Sequence, residues 1–134
     1  MSNIYYGIPK IQFENFFIKN CEKFFLDYSM EMLNRLSKRI KFDLKLLSVQ
    51  FHILKDSEPF AAFGFRKRQK SKLFFVEFYS KDNVDDERIA KKTKKAVMVK
   101  NKKVEFIINM VEIMKDTKMD SQIIKWIEEA YRLV

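Results

Sequence analysis

Phe13, Phe17, Cys21, Phe24, Tyr28, Met32, Leu36 and Ile40 follow one another at steps of three or four, and Phe16, Phe25 and Leu33 widen the stripe. A helical repeat puts such positions on one face. The run from Ile11 to Ile40 is long for one globular helix, so a break is expected near Asn20, which could cap a second helix. Beyond it the period changes to two. Val49, Phe51 and Ile53 alternate with Ser48, Gln50 and His52, which predicts a half-buried strand over Ser48–Leu54. Phe60–Phe65 and Leu73–Tyr79 read as two further strands, joined by the basic link Arg66–Lys72, and the three form an antiparallel meander. Gly64, inside the middle strand, predicts a bulge or the close packing of another element.

On either side of this centre the signals are more local. Met1–Lys10 reads as an arm, with Gly7 and Pro9 breaking regular structure. Asp85 is placed to cap a short helix with Asp86 and Glu87 in its first turn and Lys94 and Lys95 in its last, which complements the helix dipole. Ala96–Val99 is a short apolar piece and Lys100–Lys103 a polar turn. Val104, Phe106, Ile108 and Met110 alternate, and the β-branched content of Val104–Met114 favours a strand. Asp120 caps a last helix whose apolar face is Ile123, Ile124, Ile127, Ala130, Tyr131 and Val134. The expectation is one α+β domain over residues 11–134: an antiparallel sheet of about four strands with N- and C-terminal helices packed on one face.

A chain of 134 residues with 47% hydrophobic residues and 14 Phe can build a real core, and two Gly and two Pro argue against disorder. The single Cys21 leaves no internal disulfide, and no signal-peptide pattern opens the chain, so a reduced, cytoplasmic protein is expected. No apolar run approaches the roughly 18 residues that span a bilayer.

Charge is unevenly spread. Arg66 to Lys103 holds 14 Lys and Arg against five acids, a net +9 that equals the charge of the whole chain. Everything outside that stretch sums to zero. The cations that stand out are Arg66, Lys67, Arg68, Lys70 and Lys72, then Lys91, Lys92, Lys94, Lys95, Lys100, Lys102 and Lys103. Such a concentration points to an anionic partner. Lys outnumbers Arg 21 to 6, which suits diffuse attraction to phosphate rather than bidentate base readout. Phe74 and Tyr79 are the best candidates for exposed rings on which a base could stack.

Catalysis finds little support in the residues. Cys21 and His52 are the only Cys and the only His; Cys21 sits on an apolar helix face, where an inert thiol is the ordinary outcome. Asp82, Asp85, Asp86 and Glu87 lack the central Gly and distal Glu of a calcium loop. No Glu-x-Lys occurs, which argues against a restriction-type nuclease, and Gly7 and Gly64 alone cannot form a phosphate loop. No catalytic residue, metal or cofactor is expected.

Three stretches carry a resemblance. Pro59-Phe60-Ala61-Ala62-Phe63 with Leu73-Phe74-Phe75-Val76-Glu77-Phe78, then Asp85-Asp86-Glu87-Arg88-Ile89-Ala90, then Met119-Asp120 with Ile124, Trp126-Ile127 and Glu129-Ala130-Tyr131 resemble the central hairpin, acidic-Arg turn and closing helix of a bacterial and archaeal domain family of unknown function. Its members are described as predicted transport proteins and often sit C-terminal to restriction-endonuclease-like domains. The similarity covers about residues 43–134. Lys94–Lys103 stands where many members have a Gly/His/Trp-rich turn. The resemblance implies a fold and an accessory role, and no established activity. The reading that results is a small non-enzymatic domain that binds nucleic acid without sequence specificity. The alternative is a protein-interaction module that meets an acidic partner.

Overall fold

The computed structural model describes residues 4–134, so the first three residues of the expected arm lie outside it. The rest of that arm is ordered. β1 (Ile4–Tyr5) and β2 (Ile8–Pro9) pair around Tyr6 and Gly7, which adopt φ of +50° and +89°. Gly7 therefore makes a turn where a break was expected, because glycine enters the left-handed region without strain. α1 (Lys10–Asn20) and α2 (Lys23–Ser37) follow, and the break falls at Cys21 and Glu22, both extended. Its position is as the sequence implies, but Asn20 is no cap. Its Nδ2 donates back to the Phe16 carbonyl at 3.0 Å, and Glu22 stands at the N-cap of α2 with no side-chain bond.

β3 (Asp43–Leu46), β4 (Gln50–Lys55), β5 (Glu58–Lys67), β6 (Lys72–Ser80), β7 (Ile89–Val99) and β8 (Lys102–Ile113) form one antiparallel sheet in the order β3-β4-β5-β6-β8-β7, and α3 (Ser121–Leu133) closes the chain. The α+β class is as expected; the sheet has six strands, with the small β1–β2 hairpin beside it, where about four were anticipated. The helix expected from Asp85 to Lys95 is absent. Asp86 accepts from the Arg88 backbone N–H at 2.9 Å and closes a loop instead, and the lysines enter β7. β7 lies at the sheet edge, where Lys side chains face water on both sides and block further strand pairing. Lys100 and Asn101, at φ +51° and +67°, make the tight turn into β8.

One face of the sheet carries the helices. Phe51 packs on Phe16 at 4.7 Å, Phe74 on Phe25 at 4.8 Å and Phe78 on Trp126 at 5.1 Å between ring centres. Asp120 caps α3 as expected, its Oδ1 accepting from the Ile123 N–H at 3.0 Å. Ile127 is fully buried, while Tyr131 is half-buried against Phe60. Gly64 marks a close approach: a Cβ there would meet the Val49 carbonyl at 2.4 Å and the Gln50 Cα at 2.6 Å. The bulge lies elsewhere, at Ile53 and Leu54.

The other face is curved. Lys95 of β7 lines the same cleft as His52 of β4, although β5, β6 and β8 lie between them in the sheet order. Phe74 and Tyr79 do not serve as exposed rings: they are 4% and 7% exposed. Phe74 is covered by α2, and Tyr79 stacks on Phe106 at 5.2 Å. Among the described residues, no helix is long and apolar enough to cross a membrane.

Candidate nucleic-acid interface

The fold divides the basic residues among separate places. Lys67, Arg68, Lys70 and Lys72 surround the β5–β6 turn, which the Arg68 N–H closes onto the Ser71 carbonyl at 2.8 Å. The turn stands against the break between α1 and α2. Lys72 joins the two: its Nζ donates to the Asn20 carbonyl at 2.6 Å and lies 4.6 Å from the centre of the Phe65 ring. Between these elements is an open cleft of about 650 Å³, to which α1 contributes Lys19. Five cations line it, and Glu22 is its only carboxylate. Cys21 also faces it, but burial pushes its thiol up to about 12 against the opposing pull of Lys72. Such a thiol is protonated and a poor nucleophile at neutral pH.

A second group lies on the concave face. Arg66, one residue before Lys67 on a strand, points to the opposite side of the sheet. Its Nη2 is 3.5 Å from Glu77 Oε2, and its guanidinium lies over the Phe75 ring at 5.2 Å. Lys91 and Lys95 bear on the same carboxylate. Burial pushes Glu77 up, and these three cations pull it down.

The other cations diverge. Lys92 and Lys94 point to the other side of β7, and Lys92 Nζ donates to Asn83 Oδ1 at 2.5 Å. Lys100, Lys102 and Lys103 sit at the tip of a two-stranded ribbon. β6 pairs with β8 only from Phe74–Ile113 to Ser80–Ile107, whereas β7 follows β8 to Val99–Lys102. The ribbon tip and the β5–β6 turn are therefore at opposite ends of the sheet. A focused field would need the two basic segments, Arg66–Lys72 and Lys91–Lys103, on one side of the domain; they meet only where Arg66, Lys91 and Lys95 converge.

A cleft of about 680 Å³ between α2 and α3 also has cations, but Arg39 and Arg132 are both paired with Glu128, at 2.7 and 3.0 Å. With Arg35 on Glu31 at 2.7 Å, three of its five cations are paired, and it has two carboxylates, Glu128 and Glu129, where the cleft at the helix break has one. Cys21 and His52 lie apart, one at the helix break and one on the concave face. His52 Nε2 is 3.0 Å from Gln50 Nε2, and burial lowers the ring's pKa, with Lys95 and Lys45 acting in the same direction. Among the described residues no three His, Cys, Asp or Glu gather as metal ligands. Asp86 is instead held by Arg88, whose hydrogen bonds keep its carboxyl below the usual range.

Lys19 is the residue that sequence reasoning missed. It lies on the polar side of a helix far from the basic stretch, and only the Lys72–Asn20 contact reveals its neighbours. The chain matches no family model, no curated protein and no solved structure.

Proposed function

We propose that this protein is a small non-enzymatic domain that holds nucleic acid by its phosphates, without sequence preference, in the cleft between the α1–α2 break and the β5–β6 turn. The observation that carries the reading is the arrival of Lys19 beside Lys67, Arg68, Lys70 and Lys72 around one open cleft with a single carboxylate. Unpaired cations converging on a channel attract a polyanion, and lysine suits phosphate as a point charge. The β7–β8 ribbon, with Lys95, Lys100, Lys102 and Lys103 against Glu105, is a second contact of a width that a groove of duplex DNA admits. A reduced, cytoplasmic setting and membership of the accessory-domain family resembled by residues 43–134 belong to the same reading. The alternative partner, an acidic protein surface, would be attracted by the same cations.

Fluorescence anisotropy with random-sequence DNA and RNA tests this. If all five cleft cations meet phosphate, log K falls with log salt at a slope of about 4–5 on duplex DNA, so affinity drops between two and three decades from about 50 to 200 mM salt. The triple variant Lys67→Ala, Arg68→Ala, Lys70→Ala flattens the slope by about 2–3. Lys72 is left intact because it supports the fold. Absence of binding at low salt, or an unchanged slope in the variant, sinks the reading and leaves the protein-partner alternative.

A further inference from the structure

Glu77 is a half-buried carboxylate set among three cations on the concave face. It lies in a concave cleft of about 220 Å³, where Arg66 Nη2 stands 3.5 Å from Oε2 and Lys91 and Lys95 also act on the carboxylate. An ionised carboxylate has two oxygens and about four acceptor sites, so a ligand that enters the cleft finds acceptors there. The group that satisfies both oxygens together has two parallel N–H donors. Two common chemical groups offer them: a guanidinium, and the edge of guanine that carries N1–H and the 2-amino group. A guanidinium would bring a further positive charge beside Arg66, Lys91 and Lys95. Guanine is neutral, and as part of a nucleotide it brings a phosphate that these cations attract.

We propose that the concave face binds a guanine nucleotide, its N1–H and 2-amino edge on the Glu77 carboxylate and its phosphate among Arg66, Lys91 and Lys95. Ile108, beside the mostly buried Tyr79, supplies apolar surface for the base at the cleft wall. Adenine and cytosine present a donor beside an acceptor, and thymine a donor between two acceptors that repel a carboxylate. The inference rests on the nucleic-acid reading for one of its two sources, a guanine within a bound strand; the other source is a free nucleotide.

The experiment uses the full chain with labelled single-stranded oligothymidylates in which one central base is guanine, hypoxanthine or thymine. Hypoxanthine keeps N1–H and lacks the amino group. Binding about tenfold tighter to the guanine strand than to all-thymine, with hypoxanthine between, is expected for one bidentate contact. Glu77→Gln, nearly the same shape, removes that preference and leaves the salt slope unchanged. A parallel titration compares free GMP with IMP. If guanine and thymine strands bind alike, and GMP binds no better than IMP, the inference is overturned while phosphate binding stands. If no strand binds but GMP is preferred over IMP, the phosphate reading fails and the guanine site stands, with free nucleotide as its source. Failure of every strand and of both nucleotides overturns both.

Discussion

Arg88 joins Asp86 to Asp120. Its Nε is 3.1 Å from Asp86 Oδ1, its Nη1 donates to Asp120 Oδ2, and its guanidinium lies over the Trp126 ring at 5.0 Å. Asp120 at the same time caps α3 through Oδ1. One side chain thus fastens the loop before β7 to the start of the last helix.

Replacing Arg88 with Ala is expected to lower stability by about 1–2 kcal/mol, a value kept modest because the side chain is partly exposed. Arg88→Lys restores little, since an ammonium cannot bond two carboxylates along one plane and cover a ring. Urea unfolding of the two variants beside the wild type provides the measurement. A loss shared equally by Lys and Ala indicates planar geometry; full rescue by Lys indicates charge alone.

Gly64→Ala tests the close approach of Val49 and Gln50 to β5. The added methyl would fall 2.4 Å from the Val49 carbonyl oxygen, which itself accepts from the Phe65 N–H at 3.0 Å. Backbone has to move, so a loss of about 3 kcal/mol is expected. A midpoint in chemical denaturation within experimental error of the wild type would show that this close approach relaxes freely.

Ile127→Ala truncates a fully buried side chain on α3. Such a change costs about 2–4 kcal/mol through lost burial and a residual cavity. Thermal melts followed by circular dichroism would reveal it. A change under about half a kcal/mol means that α3 is not docked on the sheet.

His52 makes stability depend on pH. Its pKa is lowered from the ordinary 6.5 by burial and by Lys95 and Lys45, with Gln50 beside it. Below 6.5 the unfolded chain therefore takes up a proton that the folded chain resists, so the wild type loses stability as pH falls from there toward the folded pKa. His52→Gln removes this dependence. The stability difference between the two proteins, followed by denaturation from about pH 8 to pH 5, is flat at the alkaline end and turns against the wild type at the acid end. A constant difference throughout would remove His52 as the cause.

The parts of the fold legible in the residues were those with one wet and one dry face. The stripe from Phe13 to Ile40, the alternation at Val49, Phe51 and Ile53, and the Asp120 cap each carry a period or a capping signal. β7 carries neither, because Lys91 to Lys95 are exposed on both faces of an edge strand. Asp85, Asp86 and Glu87 followed by Lys94 and Lys95 imitate a helix's dipole partners, yet Asp86 is committed to Arg88. Leu44 and Leu46 are too short a run to announce β3. Alternation also puts Tyr79 on the face away from the helices without revealing that Phe106, diagonal to it on the neighbouring strand β8, covers the ring. The cleft was half visible: Lys67 to Lys72 stand out as charge, but Lys19 enters only through the three-dimensional contact at Asn20.

The β1–β2 hairpin bears on how the two borders of the sheet are closed. Its Tyr6 carbonyl accepts from the Leu44 N–H at 2.7 Å, on the outer border of β3. At the far border β7 is fenced by lysines. The ladder is thus stoppered at one end by its own chain and at the other by charge. Cutting away the first nine residues would unplug only the first end, and neighbouring molecules could then join there in pairs, β3 to β3, with no route to an endless fibre.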